Sequence, residues 1–396
     1  MYSSSYFRSV VVQLFGCRLL SSGSGGVASC SRKVRPISKM CGWQIHSYGS
    51  LDEVEYSENV KMPVLTSPNQ LLVKVTAASV NPIDVAMIKG YGSSVINAMR
   101  CKSGIEFPLT LGRDFCGEIV QKGLGVSSRD LEVGDEVWGV VPLHQQGCHA
   151  DYVVVDRYCL SKKPSCLNKI DASAILYAGL TAWSGLYITG HLGGLLGAIS
   201  PVGGGLGKKI LVLGASGGVG TIAVQMLVAE GAEVFATCSS DAIEMVQNLG
   251  ANYTFDYNEP DHVQVLASAG RFDVVLDCAN KGTEYASIVP WNFDQYITFN
   301  SPVLKNIDDN GFATGMYQNA LSIIRNNVAS VSAQKGLVKW GYFVPAPQAI
   351  AYFQKLVEKG KLLPIIEKVY SFEQAIDAYA RVEAKHLRGK IVIDYS

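Results

Sequence analysis

The glycine-rich segment Gly214–Gly220, which reads GASGGVG, has residue types and spacing suited to binding a nucleotide. It follows the apolar run ILVL and precedes an apolar-periodic stretch, which predicts a strand, a tight turn and a helix in that order. When this segment is aligned with the dinucleotide-binding fingerprint G-x-G-x-x-G, the three glycine positions are occupied by the small residues Ala215, Gly217 and Gly220. Small residues at these positions let backbone N–H groups at the start of the helix approach a diphosphate, and they let the helix pack against the strand. We therefore predict that a dinucleotide is bound by Ala215, Ser216, Gly217, Gly218, Val219 and Gly220.

The end of the next predicted strand indicates which dinucleotide fits. NAD sites carry Asp or Glu there, about twenty residues after the glycines, to bond the ribose 2′-hydroxyl. This strand ends ATCSS, so Ser239 and Ser240 stand where the acid is expected. Hydroxyl groups accept a 2′-phosphate without charge repulsion, which favours NADPH. Asp241 is adjacent and no Lys or Arg follows closely, and Tyr257 is a further candidate phosphate contact.

Two kinds of element surround these residues. Residues 70–80 alternate apolar and polar side chains, and short β-like runs separated by Gly and Asp fill 116–155, which predicts a compact β-barrel or sandwich. From Lys208 the pattern becomes strand, glycine turn, helix, strand, which is typical of a parallel sheet covered by helices. The sequence therefore predicts an α/β protein with a Rossmann-type domain and a separate β domain.

Composition narrows the class of protein. The chain has 396 residues, 48% hydrophobic and 17% charged, with a formal net charge of zero. This length and apolar content predict two folded domains. No basic stripe interleaves with aromatic residues, so nucleic acid is not an expected partner. No uninterrupted apolar stretch is long enough for a transmembrane helix, because the most apolar candidate, 186–206, contains a proline, a histidine and many glycines.

The N-terminal segment differs from the rest. Its serines and basic residues come without a single Asp or Glu before Asp52. An Arg-rich, Ser-rich and acid-free start is typical of a mitochondrial transit peptide. We predict a transit peptide over residues 1–41 and a mitochondrial location, with the matrix favoured over association with the outer membrane. A disordered basic tail is the alternative.

Several segments together carry a family resemblance. ASVNPID at 78–84, PLTLGRDFCGEI at 108–119, VGDEVW at 133–138 and the glycine turn resemble the quinone-oxidoreductase branch of the medium-chain dehydrogenases/reductases. With HLRGKIVI near the C-terminus, the resemblance extends to the mitochondrial reticulon-interacting NADPH oxidoreductases of that branch. It implies a GroES-like β-barrel catalytic domain over 42–176 and 320–396 and a Rossmann NADPH-binding domain over 177–319.

The resemblance also implies that the protein works without zinc. Zinc alcohol dehydrogenases of this class carry Gly-His-Glu where this chain reads Gly112-Arg113-Asp114, so the histidine ligand is replaced. No Cys-x-x-Cys pair is present for a structural zinc site. His144 and His149 are expected to lie on the surface.

Further site residues come from the resemblance alone. It places Asn81 beside the nicotinamide and implies that Thr181, Phe299, Tyr342 and Phe343 line the cofactor.

Two residues keep two interpretations each, and a third has one. Tyr91 is either a catalytic phenol or a loop aromatic packed on the cleft. Lys390 either reaches the cofactor phosphates or is a solvated lysine at a strand edge. Asp84 follows Pro82 and is expected to have a structural role, bonding backbone near a turn.

The resulting hypothesis is a zinc-independent NADPH oxidoreductase that passes hydride to a quinone-like small molecule, linked by resemblance to ubiquinone synthesis. A reticulon-type protein partner is also implied by resemblance. The first alternative is a mitochondrial 2-enoyl-thioester reductase, in which a phenol such as Tyr91 protonates carbon. The second is an NADPH-binding scaffold that acts mainly through protein interaction.

Overall fold

The computed structural model describes residues 39–100, 106–194, 197–198 and 203–396. The predicted transit peptide lies outside these residues except for 39–41, which form the start of the first strand. Met40 in that strand is buried and pairs with Val60. The folded β domain therefore includes residues 39–41, ahead of the predicted start at residue 42. No helix among the described residues has both the length and the apolar character needed to span a bilayer.

The N-terminal part is a β domain. The alternating segment 70–80 forms its long central strand, which pairs antiparallel with three others, so this prediction is confirmed. The strands are β1 Lys39–Ile45, β2 Val54–Lys61, β3 Gln70–Val80, β4 Leu109–Thr110, β5 Asp114–Lys122, β6 Glu136–Val140, β7 Tyr152–Asp156 and β8 Leu160–Lys162. Its helices are α1 Pro82–Ile88, α2 Ser93–Met99 and α3 Lys169–Ser173.

The middle of the chain forms a parallel sheet whose strands are ordered β11-β10-β9-β12-β13-β14 within the described residues. The strands are β9 Lys209–Leu213, β10 Glu233–Cys238, β11 Tyr253–Asp256, β12 Phe272–Asp277, β13 Phe293–Thr298 and β14 Leu337–Trp340. Helices cover both faces, as the apolar runs of β9 and β12 require. They are α4 Leu176–Trp183, α5 Gly218–Ala229, α6 Ile243–Asn248, α7 His262–Ser268, α8 Thr283–Ile288, α9 Val303–Asn310 and α10 Phe312–Ser332. The predicted Rossmann-type sheet is confirmed.

The predicted domain boundary at residues 319 and 320 is wrong. Residue 319 lies in the middle of α10, and β14 beyond it pairs in parallel with β13. The chain therefore stays with the nucleotide-binding sheet at least to Trp340. Periodicity failed here because α10 buries a polar face and exposes an apolar one, which hides the usual signal of a covering helix.

The C-terminal segment returns to the β domain through α11 Pro347–Glu358, β15 Ile366–Ser371, α12 Ala375–Glu383 and β16 Lys390–Asp394. Strand β16 pairs antiparallel with β3. Just before it, the Gly389 N–H donates to the Ser216 carbonyl at 2.9 Å. The start of β16 therefore joins the β domain directly to the glycine turn of the parallel sheet, and this contact positions the candidate site.

Candidate active site

The glycine turn has the geometry that the fingerprint predicts. Gly214 follows β9 with φ of +74°, a conformation that favours glycine, and α5 begins at Gly218. A Cβ on Gly220 would lie 2.3 Å from the Gly214 carbonyl oxygen, so this position must be glycine for the helix to pack. A Cβ on Gly217 would meet no protein atom closer than 3.7 Å. The outer side of the turn is thus open in front of a helix N-terminus, which fits a bound diphosphate.

An exposed ion pair lies at the end of β10, where a 2′-phosphate is expected. Arg388 donates from Nη2 to Ser239 Oγ at 2.7 Å and pairs with the Asp241 carboxylate at 2.8 Å. Ser239 Oγ in turn donates to Asp241 Oδ1 at 2.6 Å, and these bonds hold the pKa of Asp241 below its ordinary value. Ser239 and a guanidinium side by side form a suitable cradle for a phosphate.

The other predicted phosphate contacts lie beside this pair. Ser240 begins the short 3₁₀ turn that follows Ser239. The Tyr257 N–H donates to the carbonyl of Cys238, which brings the half-exposed Tyr257 ring to the same strand end. Sequence reasoning missed Arg388 because it comes 147 positions after Asp241 in the chain. The only sequence signal was its place in the motif HLRGKIVI.

A buried polar network surrounds Asn81 at the start of α1. Asn81 Nδ2 donates to Asp114 Oδ1 at 2.8 Å, and its Oδ1 accepts from Lys390 Nζ. Ser79 Oγ donates to the same Asp114 oxygen at 2.5 Å, and Lys390 Nζ lies 3.7 Å from Asp114 Oδ2. The amide of Asn81 is therefore fixed from both sides. Its orientation is determined by one buried cation and one buried carboxylate.

Lys390 is the element that connects this network to the glycine turn. Its side chain is buried, and a Cβ on Gly218 would lie 2.9 Å from Lys390 Cδ. The prediction of a solvated strand-edge lysine is therefore wrong, because the side chain runs from the turn to Asn81. Contact with a cofactor phosphate stays a prediction. Burial lowers the pKa of Lys390, and the nearby Asp114 opposes this effect.

A second buried ion pair supports the first. Asp84 Oδ2 accepts the Asn81 N–H at 2.8 Å, and its Oδ1 accepts the Gly112 N–H at 2.9 Å. Arg113 Nε lies 3.7 Å from Asp84, with both side chains fully buried. Burial raises the pKa of both Asp84 and Asp114. The structural role predicted for Asp84 is confirmed, since it fixes the backbone on which Asn81 sits.

The imidazole of His149 lies on the same network. It is fully buried, in contact with the Tyr379 hydroxyl through Nδ1 and with the Ser79 carbonyl at 3.2 Å through Nε2. The expectation that His149 is a surface residue is therefore wrong. Burial lowers its pKa to about 4, so it is neutral at physiological pH. Among the described residues, no three His, Cys, Asp or Glu side chains form a group suited to hold a metal.

Tyrosines line the edge of the cleft. The Tyr91 hydroxyl lies 3.5 Å from the Ser301 carbonyl, and the Tyr342 hydroxyl lies 3.2 Å from Ser301 Oγ. Burial raises the pKa of Tyr91, with Tyr342 and Asp308 adding to the shift. Tyr91 thus remains a protonated phenol at neutral pH.

The remaining predicted residues pack behind this edge. Phe343 stacks on Tyr177 at 4.3 Å between centroids, and the Tyr177 N–H points to Asp114. The Thr181 hydroxyl donates to the Tyr177 carbonyl one helical turn earlier, so it is already engaged within α4. The Phe299 ring fills the space beside Gly185. Tyr177 and Phe343 therefore bring an apolar wall to the network around Asn81.

Comparison with known proteins identifies the family. Residues 67–165 match the family described as alcohol dehydrogenase GroES-like domain, and 249–393 match the zinc-binding dehydrogenase family. The chain is 52% identical to the mitochondrial NAD(P)H oxidoreductase RTN4IP1 of Drosophila melanogaster, covering 90% of this chain and 86% of that protein. It is 37% identical to the human protein of the same name, covering 98% and 95%.

The fold agrees with this relationship. The quinone oxidoreductase of Coxiella burnetii superposes with a TM-score of 0.69 at 24% identity, covering 90% of this chain and all of that one. A GroES-like domain combined with a Rossmann-type sheet is thereby shown. This chain belongs to the mitochondrial NAD(P)H oxidoreductases of the medium-chain dehydrogenase/reductase family and is an oxidoreductase that uses a nicotinamide cofactor.

Proposed function

We propose that this protein transfers hydride from NADPH to a quinone-like acceptor in mitochondria, without a metal ion. The main support for a quinone-like acceptor is the closed hydrogen-bond network around Asn81. Asn81, Lys390 and Asp114 bond one another, so the amide serves to orient, and the acid and the base of this network are already paired. A quinone suits such a site, because its reduced oxygens take protons from water. Arg113, buried against Asp84, stands where zinc relatives carry a histidine ligand.

The choice of NADPH rests on Ser239 and Arg388. When bound, the cofactor would supply the hydride. The open turn at Gly217 and the N-terminus of α5 would hold its diphosphate, and Arg388 with Ser239 would bind its 2′-phosphate. Asn81 would orient the nicotinamide end.

The aromatic wall gives the reactive end a dry environment. Tyr177 and Phe343 stack beside Asp114, and the Phe299 ring packs against Gly185 and Gly341. Such a wall would exclude water from the hydride path and strengthen the electrostatic effect of the nearby charges. The residues of this wall and of the Asn81 network come from both domains, which makes the cleft between them the reaction site in this proposal.

A 2-enoyl-thioester reductase is the second candidate, and Tyr91 is the observation that favours it. A protonated phenol at the edge of the cleft could deliver a proton to the α-carbon of an enoyl group. The scaffold alternative and the reticulon-type partner have no comparable structural observation. One relative, from Caenorhabditis elegans, is named reticulon-4-interacting protein 1.

NADPH oxidation measured side by side with a soluble quinone and with a 2-enoyl-CoA tests the proposal. We expect turnover with the quinone, and we expect Tyr91→Phe to leave it nearly unchanged. An enoyl reductase would instead lose roughly a hundredfold or more in that variant, the contribution of a general acid. Tyr342→Phe, which alters the neighbouring phenol, is the matched control. Turnover with enoyl-CoA alone, or NADPH binding without turnover of either acceptor, would overturn the proposal.

A further inference from the structure

Tyr91 lies on a short loop, residues 89–92, which connects α1 to α2 in the β domain. We call this segment the Tyr91 loop. Gly90 and Gly92, on either side of the tyrosine, have φ of +81° and +77°, a region that favours glycine. Two glycines give the loop conformational freedom, so its position depends on contacts with other parts of the protein.

The contacts that hold the loop come from α9, which covers the parallel sheet of the other domain. The Asp308 carboxylate accepts the Gly92 N–H at 2.6 Å and the Ser94 N–H at 2.9 Å. A Cβ on Gly92 would lie 3.0 Å from Leu304 Cδ1, so the Leu304 side chain packs on the same place. Leu304 and Asp308 are four residues apart and therefore share one face of α9. Hydrogen bonds to a carboxylate are stronger than neutral ones, which makes Asp308 the main attachment.

The two domains also meet at the start of β16, and there the contact is buried. The Gly389 N–H donates to the Ser216 carbonyl at 2.9 Å, and the side chain of Lys390 is buried beside the glycine turn. At α9, by contrast, Asp308 is partly exposed and Ser94 is exposed. Hydrogen bonds that water can reach open more easily than buried ones. The side of the cleft at α9 is therefore the side that can move.

We propose that Asp308 is a positioning residue that sets the width of the acceptor site by holding the Tyr91 loop against α9. This inference rests on the proposed function, because it takes the cleft between the domains as the place where the acceptor binds. Asp308 acts through the loop and not on the reacting atoms.

The width of the site determines which acceptors fit. While Asp308 holds the loop, the Tyr91 hydroxyl lies 3.5 Å from the Ser301 carbonyl, and the Tyr342 hydroxyl lies 3.2 Å from Ser301 Oγ. Both phenol rings then narrow the edge of the cleft. A narrow cleft keeps contact with a single flat ring, whereas a system of fused rings needs more room. Asp308 therefore favours small quinones over large ones.

Steady-state oxidation of NADPH with duroquinone, which has a single ring, and with phenanthrenequinone, which has fused rings, tests this proposal. We expect Asp308→Ala to raise KM for duroquinone roughly tenfold and to leave kcat within about twofold, because contact with the ring is lost but the hydride path is not. KM for phenanthrenequinone should stay the same or fall. Each variant is compared with the wild type on the same quinone, so the different reactivities of the two quinones cancel.

Two further variants separate this role from a general loss of charge or of stability. Asp308→Asn keeps one accepting oxygen and should raise KM for duroquinone by an intermediate factor. Asp309→Ala removes a carboxylate from the next, exposed residue of α9 and should leave both KM values unchanged.

Hydrogen exchange of the free protein, followed by mass spectrometry over residues 90–96, measures the attachment of the loop without any acceptor. The amides of Gly92 and Ser94 should exchange faster in Asp308→Ala, because they lose the oxygens to which they donate. In Asp309→Ala they should exchange as in the wild type.

Unchanged exchange in Asp308→Ala would overturn the proposal, as would faster exchange accompanied by equal changes of KM for the two quinones. The second result would mean that Asp308 stabilises the loop without setting the width of the site. A wild-type protein that turns over neither quinone would instead refute the proposed function, and the inference about acceptor size with it.

Discussion

The two ends of the candidate cofactor site each contain an ion pair, and the two pairs differ in their exposure to water. The basic residue of each pair comes from the same short segment, 388–390. At the outer end, the side chains of Arg388 and Asp241 are 30% and 64% exposed. At the inner end, those of Lys390 and Asp114 are 5% and 1% exposed. An exposed ion pair contributes less than about 1 kcal/mol, because water screens it and its partners can exchange. A buried pair is costly to break, because the remaining charge cannot be solvated.

This difference matches the tasks proposed for the two ends. A phosphate can displace Asp241 from Arg388, so the outer end can recognise a ligand by exchanging partners. Asn81 needs a constant orientation, and the buried pair of Lys390 and Asp114 provides it without contact with water. Burial also makes the inner end sensitive to any single change of charge.

The largest effect on cofactor affinity is expected from the glycine turn 214–220, which lies between the two ends. We expect Gly217→Val to lower NADPH affinity roughly a hundredfold or more, because a branched side chain would occupy the space in front of the helix N-terminus. Its φ of −81° suits valine, and a Cβ there meets no protein atom closer than 3.7 Å. Stability should therefore change little. Calorimetric titration with NADPH and urea unfolding measure the two quantities, and unchanged affinity in a folded variant would place the diphosphate elsewhere.

The next prediction compares the two carboxylates directly. Asp114→Asn should lower the free energy of unfolding by about 3 kcal/mol, because Lys390 would remain buried without its nearest counter-charge. Asp241→Asn, the exposed counterpart, should change the free energy of unfolding far less, because water screens its pair with Arg388. Urea unfolding of both variants is the measurement. Equal losses would show that burial does not separate the two pairs.

Removal of the outer cation should affect one cofactor only. We expect Arg388→Gln to weaken NADPH roughly 10- to 100-fold, the loss of one or two charge-assisted hydrogen bonds, and to leave NADH within about twofold. Arg271→Gln, which breaks an exposed pair with Asp294, is the control and should change neither affinity. If Arg388→Gln weakened the binding of NADPH and NADH equally, Arg388 would not be a ligand of the 2′-phosphate.

The inner end should also respond to pH through His149. Its folded-state pKa of about 4 lies below the ordinary 6.5, so the unfolded chain binds a proton first as pH falls. His149 therefore loses its contribution to stability between about pH 6.5 and 4, and this contribution should fall by about 2 kcal/mol from pH 7.5 to pH 5, while the raised pKa of Asp84 and of Asp114 acts in the opposite direction. Urea unfolding of the wild type and of His149→Gln at the two pH values isolates the contribution of His149. The variant should lose about 2 kcal/mol less than the wild type on acidification, whereas the exposed His46→Gln should behave like the wild type.

The sequence predicted the turn between the two ends far better than either end. The glycine turn follows from one continuous segment in which strand, turn and helix succeed one another. Arg388 meets Ser239 only because β16 docks beside the turn, and no local pattern encodes that contact. His149 was misplaced because polarity suggests the surface, while two specific hydrogen bonds hold it inside. Local periodicity predicts elements, whereas buried polar contacts depend on how distant elements meet.

The smallest expected effect on cofactor affinity tests whether a phosphate replaces Asp241 as the partner of Arg388 at the outer end. In the free protein Asp241 holds Arg388 and repels a phosphate, so the ligand must compete with it. Asp241→Asn should therefore tighten NADPH by only about two- to fivefold, because the pair that the ligand displaces is exposed and screened by water. NADH, without the 2′-phosphate, should bind as before, and the gain should shrink at high salt. Weaker NADPH binding to Asp241→Asn would show instead that Asp241 positions Arg388 for the phosphate rather than competing with it.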